Sequence, residues 1–281
     1  MKDFLIADAG TTKTEWAFFY EGKASPIRLK TEGINPAQMS IEQIKKTLLK
    51  VKNHFNLDRF DSIYYFGAGC ATPLMVEKIR SAYSEIFKYR NINIGSDLKG
   101  AAIALLGNNK GLIGILGTGS STGYFENGEL LRQIPSLGFI LGDEGSGTAL
   151  GKRLLNAIYK KQLSKSIIEK FEQEYHLSLS VLIEEVYSKE RPGAFIASFS
   201  PFLLKNKNDN SIRKMISEEF DCFFKKNVLP YGTEGREISL VGSIAYYYED
   251  LVRESAKSNK IEIKEIIKEP MSALVRYYGL K

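Results

Sequence analysis

Residues 8–14 read Asp-Ala-Gly-Thr-Thr-Lys-Thr, and they come directly after the short apolar run 4–7. Residues 15–20, which follow, are rich in aromatic side chains, and residues 21–23, Glu-Gly-Lys, are typical of a turn. This order predicts a strand, a tight polar turn and a second strand. It differs from a Walker loop, which needs GxxxxGK followed by Ser or Thr and leads into a helix.

The polar turn has the residue types that can bind phosphate. Gly10 lets backbone N–H groups approach a ligand closely, and the hydroxyls of Thr11 and Thr12 can donate further hydrogen bonds. Lys13 can neutralise phosphate charge, and Asp8 can hold Mg²⁺ through water because hard cations prefer oxygen ligands. The same residues also favour an ordinary hairpin turn, so this turn alone leaves both interpretations open.

A second turn of the same kind follows the apolar run 112–116. Residues 117–122 read Gly-Thr-Gly-Ser-Ser-Thr, a strand then reaches Phe125, and Asn127-Gly128 is a strong hairpin signal. A strand, a Gly/Thr/Ser turn and a strand thus occur twice, which predicts two α/β lobes of duplicated architecture. Two such hairpins can clamp one polyphosphate, and together they are a more specific signal than either alone.

The periodicity of the remaining chain predicts alternating helices and strands, as in mixed sheets covered by helices. The predicted helices are 41–55, 74–87, 98–106, 245–257 and 271–278, and the further strands are 63–66, 92–94, 238–241 and 261–263. The region 144–228 is mostly helical by the same criterion. The predicted fold class is therefore α/β.

The composition is that of a soluble globular protein, with 43% apolar and 26% charged residues among 281. No apolar run approaches the roughly 20 residues of a membrane-spanning helix, and the first residues lack a secretory signal, so we expect a cytoplasmic protein. The net charge of +6 comes from dispersed lysines, and neither a nucleic acid nor a membrane is an expected partner. Two isolated cysteines and two isolated histidines argue against a disulfide framework or a zinc site.

These motifs resemble the BadF/BadG/BcrA/BcrD ATPase family, and within it most closely the N-acetylglucosamine kinases. Besides the two turns, the resemblance rests on residues 142–147, Gly-Asp-Glu-Gly-Ser-Gly, and 241–245, Val-Gly-Ser-Ile-Ala. It covers nearly the whole chain, in the order and spacing of the family. It implies a two-lobed actin-like ATPase of duplicated ribonuclease H-like domains, with nucleotide and sugar in the interlobe cleft. It also implies ATP and Mg²⁺ as cofactors and a homodimer.

The resemblance divides the chain into two lobes. Residues 1–116 form the expected N-terminal lobe, with the first phosphate turn and the catalytic aspartate, joined by the C-terminal helix 268–281. Residues 117–267 form the expected C-terminal lobe, with the second phosphate turn and the adenosine site.

Asp97 is the candidate catalytic base. It follows the predicted strand 92–94 and begins a helix, and ligands gather where the strands of a parallel sheet end. A carboxylate there can orient a sugar hydroxyl and accept its proton during phosphoryl transfer. Asp97 and Ser96 also suit a helix N-cap, but Ser96 can cap while Asp97 reaches the site. The resemblance matches Asp97 to the catalytic aspartate of the family.

The nucleotide contacts are carried over by resemblance. Thr118, Gly119 and Ser120 of the second turn, with Gly10–Lys13 of the first, correspond to residues that bind the β- and γ-phosphates and Mg²⁺. Gly242 and Ser243 correspond to the turn beneath the adenosine. From sequence alone, that pair is also compatible with a plain strand-to-helix turn whose N-cap is the serine.

The resemblance also places four residues at the sugar besides Asp97: Asn35, Thr118, Gly138 and Asp143. Asn35, which precedes a proline, is equally typical of a turn, and Asp143 with Glu144 could serve only to complement a helix dipole. Animal N-acetylglucosamine kinases have Gly-Trp-Gly where this chain has Ser136-Leu137-Gly138. This departure leaves the identity of the substrate sugar open.

The favoured function is ATP-dependent phosphorylation of N-acetylglucosamine to its 6-phosphate, with glucosamine or N-acetylmuramic acid as alternative substrates. A second possibility is an ATPase that activates a partner redox enzyme through a bridging Fe–S cluster. Such clusters need neighbouring thiolates, which Cys70 and Cys222 do not provide; a small buried role is expected for Cys70. A third possibility is a sugar-sensing protein without turnover. The single tryptophan, Trp16, is expected in the core.

Overall fold

The computed structural model describes residues 3–23, 25–57 and 59–279, and it contains two five-stranded mixed sheets covered by helices. The first sheet has the order β3-β2-β1-β4-β5. Its strands are β1 (Phe4–Ala9), β2 (Lys13–Phe19), β3 (Ile27–Glu32), β4 (Arg59–Gly67) and β5 (Lys88–Ser96). The strands β1, β4 and β5 are parallel, whereas β1–β2 and β2–β3 are antiparallel pairs.

The register of the first sheet aligns the ends of its three parallel strands. Ala9 lies opposite Gly67, and Gly67 lies opposite Ser96. The residues that follow these strands therefore share one edge of the sheet, where ligands of parallel sheets bind. The helices of this part of the chain are α1 (Ile41–Phe55), α2 (Pro73–Ile86) and α3 (Asp97–Leu106).

The helix α1 shows why the local sequence folds as it does. Ser40 and Gln43 form a capping box at its start, and Asn56 takes the left-handed conformation (φ 52°) at its end. Its apolar stripe packs into a core that includes Trp16, which is fully buried as predicted. The Trp16 indole N–H donates to Thr31 Oγ1 at 2.9 Å, so the buried ring has its polar group satisfied.

The second sheet has the order β10-β9-β6-β7-β8. Its strands are β6 (Gly111–Leu116), β7 (Ser120–Glu126), β8 (Glu129–Ile134), β9 (Glu237–Val241) and β10 (Glu262–Ile267). The strand β9 pairs in parallel with both β6 and β10. The remaining α-helices are α4 (Gly138–Leu141), α5 (Gly147–Tyr159), α6 (Lys165–Tyr175), α7 (Leu179–Tyr187), α8 (Pro192–Ala197), α9 (Ser200–Lys205), α10 (Asn210–Phe223), α11 (Ser243–Tyr247), α12 (Glu249–Ser258) and α13 (Met271–Gly279), and a π-helical segment (Phe224–Val228) continues α10.

The chain divides into two compact units. One comprises residues 1–110, 125–131 and 269–281, and the other comprises 111–124 and 132–268. The strand β6, which the sequence analysis placed in the first lobe, is hydrogen-bonded to β9 in the second sheet. The predicted C-terminal helix 268–281 corresponds to α13, and its last two positions lie outside the described residues. None of the described helices is long and apolar enough to span a bilayer.

Candidate active site

The first polar turn connects β1 to β2 and is built tightly on its neighbours. The Gly10 N–H donates to the Lys13 carbonyl at 2.9 Å, which closes the turn. The Gly33 N–H donates to the Thr12 carbonyl at 3.0 Å, and a Cβ at Gly33 would lie 2.2 Å from the Thr11 carbonyl oxygen. Because that space is occupied by backbone, only glycine fits beneath the turn at position 33.

Asp97 lies close enough to Asp8 for its charge to affect the pKa of Asp8. Burial raises the pKa of Asp8 from its ordinary value of 3.8 to about 7, and the charges of Asp97 and Glu15 add to the increase. Lys13 lowers the pKa of Asp8, while Glu269 raises it further. The edge is thus a region of crowded negative charge, which a bound cation would relieve.

Asp97 is the first residue of α3, and a different residue caps this helix. Ser96 is the N-cap, and its hydroxyl accepts a hydrogen bond from the Lys99 N–H at 3.2 Å. Asp97 Oδ1 accepts from the Leu98 N–H at 2.9 Å, and burial raises the pKa of Asp97 despite this bond. The structure therefore separates the capping role from the carboxylate, as the sequence analysis allowed.

Lys13 has an ion-pair partner that the sequence did not indicate. Its ammonium group contacts Glu269, which precedes α13 and also lies 3.6 Å from the Lys30 ammonium group. Lys30 lies 4.0 Å from the buried carboxylate of Glu15. The candidate phosphate-binding lysine is therefore part of a network of alternating charges before any ligand binds.

Asn35 lies in a loop that contacts the first turn. Its side-chain Oδ1 accepts from the Ala37 N–H at 3.0 Å, the turn role that the sequence also allowed. Its Nδ2 lies 3.5 Å from Thr11 Oγ1, and a Cβ at Gly69 would lie 2.2 Å from Asn35 Oδ1. The Asn35 amide therefore lies between the first turn and the loop after β4.

Lys78 on α2 holds this loop from the other side. Its ammonium group donates to the Pro36 carbonyl at 2.8 Å and also to the Met39 carbonyl. Charged donors make the stronger hydrogen bonds in proteins, so Lys78 fixes the backbone immediately after Asn35. Lys78 was not predictable from the sequence, because nothing local marks a lysine that binds an acceptor 42 residues away.

Cys70 is buried near Asp97, and its thiol is unreactive. Burial raises the pKa of Cys70 to about 12, with a further contribution from the charge of Asp97. A thiol with this pKa stays protonated at neutral pH and is a poor nucleophile or metal ligand. The described residues contain no cluster of three or more His, Cys, Asp or Glu side chains that could hold a metal.

The second polar turn connects β6 to β7 and is fixed by the start of α5. The Gly117 N–H donates to the Gly119 carbonyl at 2.9 Å. The Gly147 N–H donates to the Gly117 carbonyl at 2.8 Å, and the Thr148 N–H donates to the Thr118 carbonyl at 3.1 Å. The turn and the loop before α5, although well apart in the sequence, are therefore one structural unit.

Asp143 sits directly against the second turn. Its Oδ1 accepts from the Ser120 N–H at 3.2 Å, and a Cβ at Gly119 would lie only 3.0 Å from Oδ2. Asp143 has the unusual left-handed conformation (φ 60°), and burial raises its pKa against the effects of the Ser120 N–H and Lys152. A strained, nearly buried carboxylate of this kind is typical of a functional position.

Two acidic side chains that were not among the predicted site residues, Glu144 and Glu219, make hydrogen bonds at this loop. Glu144 accepts from Lys226 and Asn227 at 3.2 Å each. Burial opposes its ionisation, but its own backbone N–H together with Asn227 and Lys226 holds the pKa of Glu144 below the ordinary value. The buried Glu219 on α10 accepts from the Gly145 N–H at 3.0 Å. Glu144 thus points towards the segment that follows α10, which contains Lys226 and Asn227. Glu219 was not predicted because it lies 74 residues from its donor.

Gly242 follows β9 directly and lies beside the second turn. It has φ 128°, and a Cβ there would lie 2.2 Å from the Leu116 carbonyl oxygen. Gly242 itself is the N-cap of α11 and provides no side-chain cap, so the alternative in which Ser243 caps the helix is wrong. Ser243 is the first helical residue, and its side chain is exposed.

Gly138 begins the short helix α4, at φ 70°, just before Asp143 in the chain. The two ends of the segment 136–143 are joined by a hydrogen bond, in which the Asp143 N–H donates to the Ser136 carbonyl at 3.1 Å. Leu137, at the position of the missing tryptophan, is 64% exposed. The structure thus brings Thr118, Gly119, Ser120, Asp143 and Gly242 together in one unit, with Gly138 on an adjoining segment.

Comparison with solved structures places the chain among sugar kinases. A candidate N-acetylglucosamine kinase from Porphyromonas gingivalis is 33% identical, with a TM-score of 0.90 over 99% of each chain. A second one, from Chromobacterium violaceum, is 14% identical with a TM-score of 0.78 over 99% of each chain. A ROK family glucokinase from Streptomyces griseus, solved with glucose and AMPPNP, is 14% identical with a TM-score of 0.56, covering 99% of this chain and 98% of its own.

The last two structures, at 14% identity, support only the two-lobed fold that the actin-like ATPases and ROK kinases share. No protein-family model matches the chain. No curated protein matches it either.

Proposed function

The chain belongs to the same sugar kinase family as the Porphyromonas gingivalis protein, and from this premise we propose that it phosphorylates N-acetylglucosamine at the 6-hydroxyl, using ATP. The observation that carries the proposal is the likeness to that protein, which extends over 99% of both chains at 33% identity. Within this fold, the motifs favour the N-acetylglucosamine kinase branch of the BadF/BadG/BcrA/BcrD ATPases. A homodimer is the expected assembly of that branch.

We assign the phosphates of ATP to the two polar turns and the adenosine to Gly242 and Ser243. Position 242 supports this, because the backbone of Leu116 and Gly117 occupies the space of a Cβ there, so Gly242 adjoins the second polar turn. The first turn offers backbone N–H groups, hydroxyls and a positive charge, from Gly10, Thr11, Thr12 and Lys13, as phosphates require. The second turn offers N–H groups and hydroxyls, from Thr118, Gly119 and Ser120.

The residues around Asp8 fit a magnesium ion. The elevated pKa of Asp8 reflects burial and neighbouring carboxylates, an environment that a divalent cation stabilises. In such sites Mg²⁺ keeps several waters and uses one or two carboxylates together with substrate phosphates, so a full protein cage is not needed. When bound, the ion would neutralise charge on the phosphates, with Asp8 as its ligand through water.

Asp97 is the proposed general base. Its Oδ1 is engaged by the Leu98 N–H, which leaves Oδ2 to accept the proton of the sugar hydroxyl. The hydroxyl oxygen forms a bond to the γ-phosphorus as the bond from that phosphorus to the bridging β–γ oxygen breaks, and ADP leaves. The protein contributes little covalent chemistry to this reaction, so positioning and charge stabilisation dominate the catalysis.

Asp143, Asn35, Thr118 and Gly138 are the proposed sugar contacts. Asp143 can accept hydrogen bonds from sugar hydroxyls through the lone pairs that the Ser120 N–H leaves open. Because Asn35 lies beside Thr11, a sugar held by Asn35 would lie next to the phosphate turn. Leu137 offers an aliphatic side chain where the animal kinases have an aromatic one. This difference affects the binding of the sugar and not that of the nucleotide.

The test is ADP release by purified protein with ATP, Mg²⁺ and a panel of amino sugars. We expect the highest kcat/KM for N-acetylglucosamine, and product analysis should show the 6-phosphate. A higher kcat/KM for glucosamine or N-acetylmuramic acid would reassign the substrate. ATP hydrolysis that no sugar stimulates would favour the redox-activator alternative, and sugar binding without turnover would favour a sensor.

Replacing Lys78 with Met should raise the KM for the sugar by about tenfold, the equivalent of one hydrogen bond. The reason is that Lys78 fixes the backbone after Asn35 through the Pro36 and Met39 carbonyls. The KM for ATP should stay within twofold. Steady-state kinetics with each substrate varied would measure this, with Lys46→Met on the exposed face of α1 as the matched control. Equal sugar KM values in both variants would contradict a positioning role.

Replacing Asp8 with Asn should stabilise the protein at neutral and alkaline pH without Mg²⁺. The pKa of Asp8 is about 7 in the folded protein and near 3.8 when unfolded, so the folded state loses stability as pH rises through this interval. Melting temperatures from pH 5 to pH 8 should show the variant gaining on the wild type as pH rises. A constant difference across this range would contradict the environment described for Asp8.

A further inference from the structure

Three buried side-chain oxygens among the described residues have no hydrogen-bond partner: those of Thr14, Tyr65 and Tyr83. The two tyrosines belong to one cluster, in which Tyr65 on β4 and Tyr83 on α2 are fully buried. A buried hydroxyl without a partner is costly, and in folded proteins an ordered water usually satisfies such a group.

The hydroxyl of Tyr65 lies at the level of the candidate active site. A Cβ at Gly67 would come within 2.5 Å of the Tyr65 ring and 2.7 Å of its hydroxyl. The ring therefore extends along β4 towards its carboxyl end. Since Gly67 pairs with Ala9 and with Ser96, the hydroxyl lies where the neighbouring strands end.

The electrostatics distinguish the two tyrosines. Burial raises the pKa of Tyr65 well above its usual range, and the charges of Asp97 and Asp8 contribute alongside Cys70 and Tyr83. Burial, Cys70 and Tyr89 raise the pKa of Tyr83, with no contribution from either aspartate. Both hydroxyls are protonated donors at neutral pH, but only the pKa of Tyr65 responds to the charge of the candidate base.

We propose that Tyr65 is a positioning residue for Asp97 and acts through a buried water. The water accepts a hydrogen bond from the Tyr65 hydroxyl and donates one to Oδ2 of Asp97, whose Oδ1 is held by the Leu98 N–H. Oδ2 retains a second lone pair for the sugar hydroxyl. The carboxylate is then fixed at both oxygens, which orients it for proton transfer. This inference rests on the proposed function, because it takes Asp97 as the base.

The neighbouring thiol does not take this role. Cys70 is buried beside the same groups, but a thiol is a weak hydrogen-bond donor, and its pKa of about 12 keeps it uncharged. The hydroxyl of Tyr65 is therefore the stronger donor of the two.

The experiment compares Tyr65→Phe with Tyr83→Phe. Both substitutions remove one unpartnered hydroxyl from a fully buried ring, and the two rings are packed edge to face with centroids 5.7 Å apart. For Tyr65→Phe we expect kcat to fall about 10- to 100-fold, the cost of a misplaced catalytic group, with both KM values within twofold. For Tyr83→Phe we expect kcat to be unchanged. The two variants should have similar melting temperatures. A merely structural role of the hydroxyls would change kcat alike in both variants.

Equal kcat in the two variants and the wild type would overturn the role of Tyr65 and leave the proposed function standing. A higher sugar KM at unchanged kcat in Tyr65→Phe would also overturn it, in favour of direct sugar contact. If the wild type forms no ADP with any sugar, both proposals fail. A crystal structure of the wild type provides a second measurement that needs no variant. If that structure shows no water between the Tyr65 hydroxyl and Asp97, the inference is wrong.

Discussion

Replacing Asp97 with Asn is expected to lower kcat by about 10²- to 10⁴-fold, the usual cost of losing a positioned base. The fold around the site should be retained. The new side-chain amide would keep an oxygen to accept from the Leu98 N–H, and the N-cap of α3 is Ser96, which the substitution does not touch. An amide cannot accept the proton of the sugar hydroxyl. The KM values for sugar and ATP should therefore change little.

The measurement is steady-state ADP release with saturating sugar, supported by calorimetric titration of an ATP analogue. Asp61→Asn is a suitable control, because Asp61 lies on β4 of the same sheet but pairs with Arg90, 3.5 Å away, outside the site. Asp61→Asn should keep its turnover. Turnover near the wild-type value in the Asp97 variant would contradict the assignment of the base.

The fold was predictable because its signals are local. Apolar runs before each polar turn and helical spacing in the intervening segments identify the elements, and the two-lobed α/β class is confirmed. The strand β3 was not predicted, because it is a partly exposed edge strand without an apolar run. Edge strands of this kind carry little pattern, since much of each side chain faces water.

A second difference in secondary structure follows β9. The spacing predicts one helix over 245–257, but the structure has α11 and α12, separated at Tyr248. Tyr248 is buried, and its hydroxyl donates to the Ser200 carbonyl at 2.5 Å. A tertiary contact with a residue 48 positions away thus accompanies the break, and helical periodicity gives no sign of it.

The candidate site was predictable only in part, for a related reason. Residues that face a ligand lie in compact motifs at the ends of strands, where Gly, Thr, Ser and Asp stand out from their surroundings. Lys78 and Glu219 act on backbone atoms 42 and 74 residues away, and each occurs within an ordinary amphipathic helix. Side chains that hold a loop from behind become visible only when the chain is folded.

Replacing Gly119 with Val is expected to abolish detectable nucleotide binding and to leave the protein folded. A Cβ at this position would lie 3.0 and 3.1 Å from the two carboxylate oxygens of Asp143, tighter than most contacts of this kind. The branched side chain would therefore push Asp143 away and break its hydrogen bond with the Ser120 N–H. It would also cover the N–H groups that the turn offers to phosphate.

Because Asp143 is a proposed sugar contact, this one substitution should weaken sugar binding as well as ATP binding. Separate calorimetric titrations with an ATP analogue and with N-acetylglucosamine would measure both effects, and circular dichroism would check the fold. Gly193→Val provides the control, because a Cβ there would meet only Phe139, at 3.7 Å. If Gly119→Val loses ATP affinity but keeps its sugar affinity, Asp143 is not a sugar ligand. If it keeps both, the second turn has only a structural role.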